Sequence, residues 1–90
     1  ASGISVSNPP RIGQIIKAVQ CSRGSAVAVQ DEAILHWQKR LAAREGVFCE
    51  ATSAAAFAGL EKLIQQGSIS KGSRVLVPIT GSGLKEPLVI

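Results

Sequence analysis

Apolar residues recur along this chain with two different periods. Ile12, Ile15, Ile16 and Val19 fall at i, i+3, i+4 and i+7, which lines one face of a helix. That spacing predicts an amphipathic helix opened by Asn8 as N-cap, with Pro9 and Pro10 where a missing amide hydrogen costs little, and ended near Ser22 to Gly24. Ser25 to Val29, Ser-Ala-Val-Ala-Val, is a short extended run. Asp31 and Glu32 then bring negative charge to the start of a second helix, whose apolar stripe runs through Ile34, Trp37 or Leu35, Leu41 and Ala42 until Gly46. Val47 to Glu50 is a brief extended approach to a third helix, Thr52 to about Gln66, stopped by Gly67. Arg74 to Thr80 reads as a strand, although Pro78 within it removes an amide donor and argues for an edge, a bulge or a strand end. The expected class is α/β, with three helices and two or three short strands, and no linker, repeat or low-complexity stretch divides the chain.

Two features of this pattern carry candidate chemistry. The third helix opens with "ATSAAAFAG", Ala51 to Gly59, almost all small residues. Small side chains let another backbone or a flat ligand come close, and alanine is also simply the best helix former. Glu50, Thr52 and Ser53 stand at its N-terminus, where unpaired amide hydrogens make a carboxylate or hydroxyl either a cap or part of a site. The last strand runs into "VPITGSGLKEP", Val77 to Pro87, a hydroxyl followed by two glycines around a serine. A strand followed by Gly-x-Gly begins a dinucleotide fingerprint, but the third glycine would fall on Glu86 and no helix can follow in the three residues after Pro87. A Walker loop is excluded as well, because no Gly-Lys-Ser/Thr follows a glycine at the required spacing.

Composition narrows the classes further. Ninety residues make one domain at most, and a chain this short buries a small share of its surface. Yet 46% of its residues are hydrophobic and its mean hydropathy is +0.24, which implies apolar faces meant to be covered. Together with the start at Ala1 and the lack of any Met, this suggests a piece of a longer chain, residues 1 to 90 forming one fragment. Ten basic residues against six acidic ones give a net charge of +4, but they are scattered, and Trp37, Phe48 and Phe57 offer no platform for stacking bases. Nucleic acid is therefore not the expected partner. Cys21 and Cys49 have no Cys-x-x-Cys or histidine at metal spacing and are expected as reduced, partly buried thiols in a cytoplasmic protein. His36, the single histidine, has no ligand or nucleophile near it in sequence and reads as structural or surface. No apolar run approaches membrane length.

Two separated stretches agree on a family. "REGVFCEATSAAAFAGLEKL", Arg44 to Leu63, and "VLVPITGSGLKEP", Val75 to Pro87, closely resemble the C-terminal region of the threonine synthases, in the pyridoxal-phosphate-dependent tryptophan-synthase-β-like superfamily. "GISVSNPPR", Gly3 to Arg11, and "GSAVAVQDEAIL", Gly24 to Leu35, fit in the same order, so the resemblance covers essentially the whole chain. It implies the C-terminal part of the large domain of a fold-type II enzyme, a lyase of threonine biosynthesis that converts O-phospho-L-homoserine and water to L-threonine and phosphate with pyridoxal 5'-phosphate. The phosphate-cradling glycine loop and the Schiff-base lysine of the family lie upstream, so the resemblance implies no catalytic residue here and an inactive isolated chain, with its bare faces either packed against the missing N-terminal part or self-associating.

By the same match Thr80 faces the cofactor's ring nitrogen, where a hydroxyl, unlike an aspartate, cannot hold a full proton by charge and leaves the ring a milder electron sink. Glu50 matches the acid close to the ring. Gly81 and Ser82 complete the implied cofactor-binding set, though Ser82 stands where many members have histidine and a histidine's role does not transfer. Gly81 and Gly83 would let the backbone pass close to the cofactor. Lys85 matches a family lysine and reads as a surface or interface charge. Ala51 in place of the usual proline, Glu86 in place of aspartate, and Pro78 depart from the family pattern. Threonine dehydratase and cysteate synthase remain competing relatives, and a stand-alone self-associating module is the competitor from outside the enzymes.

Overall fold

Helices form at each place where the apolar period is helical. A computed structural model describes residues 1–86; Pro87, which closes the Val77 to Pro87 stretch, and residues 88–90 lie outside the described part. The helices are α1, Ile12–Cys21, α2, Asp31–Glu45, and α3, Ala51–Gln65, with short 3₁₀ turns at Ser2–Ile4 and Gly83–Lys85.

Their ends follow local chemistry, with one correction. α1 begins at Ile12, and its N-cap is Arg11 without a side-chain bond, not Asn8. Asn8 and Pro9 each precede a proline, which steers both away from helical backbone angles, so the Pro-Pro pair makes a turn in which the Ile12 amide reaches the Pro9 carbonyl at 3.3 Å. At the other end the left-handed residue is Arg23, φ 57°, and Gly24 donates to the Val19 carbonyl at 2.9 Å. α2 starts at Asp31 and Glu32 as expected and ends at Gly46, whose φ of 67° lets its amide and that of Val47 turn back onto Ala42 and Leu41. α3 likewise ends before Gly67, φ 79°.

The core is the seam between α2 and α3. Ile34, Ala51, Ala54 and Ala58 are buried there with Cys49, flanked by Val29, Ala33, Trp37, Leu41 and Ala55. The small face of α3 is thus used first by the protein itself. Ala54 is fully buried, and a Cβ on Gly59 would come within 3.3 Å of Val27. Trp37 stacks on Phe57 at a centroid distance of 6.1 Å, and the Arg40 guanidinium lies 5.2 Å over the Trp37 ring.

The sheet half of the expected α/β class does not form among the described residues. Ser25 to Val29 and Arg74 to Thr80 run without a paired strand, and the sole ladder contact among the described residues is one antiparallel bridge between Cys49 and Ser82. An extended run becomes a strand only by exchanging amide and carbonyl bonds with a neighbour, and among the described residues neither run has one alongside. Leu76 is consequently 92% exposed. Val27, Val29 and Val75 to Pro78 instead line a cleft of about 460 Å³ over the Gly59, Leu60 and Leu63 face of α3. The stripe of α1 is also bare, with Ile12, Ile15 and Ile16 at 48%, 49% and 50% exposure.

Candidate functional site

The two stretches that carry the resemblance meet through a two-bond antiparallel pairing. The Glu50 amide donates to the Gly81 carbonyl at 3.0 Å and the Gly83 amide to the Phe48 carbonyl at 2.9 Å. This approach requires glycine at both positions. A Cβ on Gly81 would overlap the Glu50 carboxylate, and one on Gly83 would stand 2.7 Å from the Phe48 ring. The glycines therefore let the loop lie against Phe48 and Glu50 of its own chain.

Glu50 occupies the N-cap position of α3 but does not cap it. The carboxylate at that helix start is Glu86, whose Oε2 accepts from the Ala51 amide at 3.3 Å. Glu50 turns to the loop instead: its Oε2 accepts from the Thr80 hydroxyl at 3.0 Å and its Oε1 pairs with Lys85 Nζ at 3.0 Å. Ser53, one turn into α3, accepts from the Thr80 amide at 2.9 Å, and the Ser53 and Thr80 hydroxyls lie 2.8 Å apart. Four side chains from two segments thus form one hydrogen-bonded chain, Lys85, Glu50, Thr80, Ser53. Lys85, read from sequence as a surface or interface charge, remains largely exposed yet is tied into it.

Glu50 is 6% exposed, covered by these immediate neighbours and not sunk in a thick core. The Lys85 hydrogen bond holds its carboxyl below the usual carboxylate range; burial opposes this, and the Thr80 hydrogen bond and the Lys85 charge assist. Cys49 beside it is pushed the other way. Burial raises its thiol above the ordinary value, a backbone hydrogen bond opposes, and the Glu50 and Glu86 carboxylates add to the rise. Cys21, by contrast, is exposed, not partly buried. In the native protein at pH 8 a thiol reagent should therefore modify Cys21 readily and leave Cys49 at least tenfold slower, the gap closing in denaturant. Equal rates in the folded protein would contradict this burial.

The remaining expected positions separate clearly. Ser82 is exposed, and its hydroxyl accepts from the Leu84 amide at 3.1 Å, capping the Gly83–Lys85 turn. His36 is exposed and meets Trp37 edge to face at 6.0 Å. Among the described residues no three His, Cys, Asp or Glu side chains are grouped to hold a metal ion, and no helix is long and apolar enough to cross a membrane. Sequence reasoning missed the roles of Lys85 and Glu86, since each reaches a partner 35 residues away with no local pattern to announce it.

A family model described as pyridoxal-phosphate dependent enzyme matches residues 1–81. The chain belongs to the pyridoxal-phosphate-dependent enzymes. It is 42% identical over 87 residues to threonine synthase of Methanocaldococcus jannaschii, covering 97% of this chain and 22% of that protein. It is 44% identical over 87 residues to threonine synthase of Halalkalibacterium halodurans, covering 97% and 25%. Against threonine synthase of Methanosarcina acetivorans it is 40% identical over 90 residues, covering all of this chain and 22% of that protein. The chain thus spans about a quarter of the length of the curated relatives it matches. The donor set fits one edge of a pyridoxal-phosphate-dependent site: an exposed threonine, with a hydroxyl able to meet a ring nitrogen, is backed by a carboxylate and its cation.

Proposed function

We propose that this chain is the C-terminal part of a cytoplasmic threonine synthase, a lyase that converts O-phospho-L-homoserine and water to L-threonine and phosphate. In this reading residues 1 to 90 belong to the large domain of a fold-type II enzyme. Thr80, Glu50, Gly81 and Ser82 line the ring edge of pyridoxal 5'-phosphate, Thr80 through its hydroxyl and Ser82 through the backbone beside it. Bound there, the cofactor supplies an electron sink for a carbanion. The chain's own residues orient the ring's nitrogen edge and keep a hydroxyl against it.

One observation carries the reading. Residues from both stretches that resemble threonine synthases join in a single hydrogen bond from the Thr80 hydroxyl to the Glu50 carboxylate, 30 residues apart. The 40–44% identity to three threonine synthases favours this substrate over those of the competing relatives. The rest of the enzyme would cover the cleft between Val27 and Val77 and the bare stripe of α1, supplying the strands that the extended runs lack.

The test is phosphate release from O-phosphohomoserine, with and without pyridoxal phosphate. The full-length protein containing these residues should release phosphate in a cofactor-dependent way, and the purified 90 residues should release none. Deamination of threonine without phosphate release by the full-length protein would instead support a dehydratase. Phosphate release by the 90 residues alone would overturn the assignment of the reacting groups to another part of the chain.

A further inference from the structure

One polar side chain stands on the face by which α2 meets α3. Gln38 follows the buried Ile34 by four residues, so the two share that face, and its side-chain amide donates to the Cys49 carbonyl at 2.9 Å. The pairing of Phe48 and Glu50 with the loop explains why Cys49 needs such a donor. In an antiparallel pair the polar groups of successive residues point to opposite edges. Phe48 and Glu50 bond to Gly83 and Gly81, so the Cys49 carbonyl is turned away from the loop and towards α2. Cys49 is fully buried, so water does not reach that carbonyl, and no strand lies beyond it among the described residues. Gln38 supplies the hydrogen that a neighbouring strand would give.

We infer that Gln38 is a positioning residue for Glu50: by holding the Cys49 carbonyl while Gly81 holds the Glu50 amide, it fixes the peptide from which the Glu50 side chain departs. A peptide unit is planar and trans, with its carbonyl and amide on opposite sides, so bonds of 2.9 Å and 3.0 Å at its two ends stop it from rotating. The next peptide is held in the same way. Its Glu50 carbonyl accepts from the Ala54 amide at 3.1 Å, and its Ala51 amide donates to Glu86 at 3.3 Å. With both peptides fixed, the Cα–Cβ bond of Glu50 is aimed at the loop, where its carboxylate meets Thr80 Oγ1 and Lys85 Nζ at 3.0 Å each. Removing the Gln38 donor leaves a buried carbonyl unpaired, and turning the peptide to relieve it swings Glu50 away from Thr80. The bearing on the cofactor rests on the reading that Glu50 and Thr80 line the ring edge; the link from Gln38 to the peptide stands on this chain's own geometry.

The test compares wild type, Gln38→Met and Gln38→Glu in the full-length protein. Methionine keeps the length of the side chain and cannot donate. A glutamate cannot donate while ionised, but once protonated it can give its hydrogen to the same carbonyl. Its midpoint should lie above the ordinary carboxylate range, because the Cys49 carbonyl disfavours the charged form and the ionisable side chains lining the same cleft, Asp31 and Glu86, are both acidic. Glu50 is held below that range chiefly by Lys85, so it stays ionised where the new side chain titrates. Without cofactor, isotope labels on cysteine carbonyls and glutamate amides single out the Cys49–Glu50 peptide for NMR, the one Cys-Glu pair in these 90 residues. Its signal should shift in Gln38→Met at every pH, and in Gln38→Glu it should return to the wild-type position as pH falls through that midpoint. With cofactor, Gln38→Met should bind pyridoxal phosphate about fivefold to tenfold more weakly than wild type at the same pH. The affinity of Gln38→Glu should recover together with the peptide signal, a reversal that a general loss of packing would not show. A peptide signal unmoved in Gln38→Met, or a cofactor affinity that does not follow that signal as Gln38→Glu titrates, overturns the inference. A wild-type protein that binds no cofactor would refute the proposed function instead, while the NMR arm still decides whether Gln38 holds the peptide.

Discussion

Ile34→Ala is expected to destabilise the full-length protein by about 2–4 kcal/mol. Ile34 is the largest aliphatic side chain buried in the α2–α3 seam, 4% exposed among Ala51, Ala54 and Ala58. Those neighbours are alanines with no longer rotamer to swing into the gap, so the cavity should stay open, and the lost contacts add to the lost transfer energy. The same seam positions Glu50 and Ser53, which begin α3, so the variant should also loosen the site. A urea melt reads the effect as a lower midpoint at unchanged slope. Ile15→Ala on α1, where the side chain is 49% exposed, is the contrast: where no other part of the protein covers that face, its cost should stay below about 1 kcal/mol. A loss below about 1 kcal/mol at Ile34 would mean that the seam is not the core of this region.

Gly81→Ala is expected to weaken pyridoxal phosphate binding by the full-length protein about tenfold to a hundredfold. The added Cβ overlaps the Glu50 carboxylate and lies 3.0 Å from Lys85 Nζ. A free glutamate would swing away at little cost, but this one is held by Thr80 and Lys85 at 3.0 Å each, and its own amide bonds to the Gly81 carbonyl. Relief must break a side-chain bond or push the loop off Phe48 to Glu50, an overpacking cost of about 1–3 kcal/mol. That energy corresponds to the stated loss if it falls on the cofactor-competent arrangement. Gly13→Ala is the control, since nothing lies within 4 Å of its Cβ position in α1 and alanine is the better helix former. A double-mutant cycle with Glu50→Ala locates the collision: the second substitution should remove most of the penalty of the first. Wild-type cofactor affinity in Gly81→Ala would show that the loop has room to spare.

How much of this was legible beforehand depended on the range of each interaction. α2 was readable because Asp31, Glu32 and Gly46 mark its ends within a turn of the backbone they act on. The start of α1 is not legible at Asn8: its side chain suits a cap, but Pro9 and Pro10 restrict the residues before them, and the helix begins at Ile12. Glu50 and Thr80 were picked out by resemblance, and the structure brings them into contact. Nothing near Lys85 in sequence distinguishes it from the other basic residues, because its partner Glu50 lies 35 residues away.

By itself the sequence determined the three helices, their stops at Gly46 and Gly67, and membership among the pyridoxal-phosphate-dependent enzymes. Those are properties of period, propensity and local hydrogen bonding, complete within a few residues. Only the tertiary structure decided that Glu86 caps α3, that Lys85 holds Glu50, that the glycines make room for Phe48 and Glu50, and that the valine-rich runs stay unpaired. Each of these depends on which distant groups come within about 3 Å, the range of a hydrogen bond, and that is set by how the segments pack.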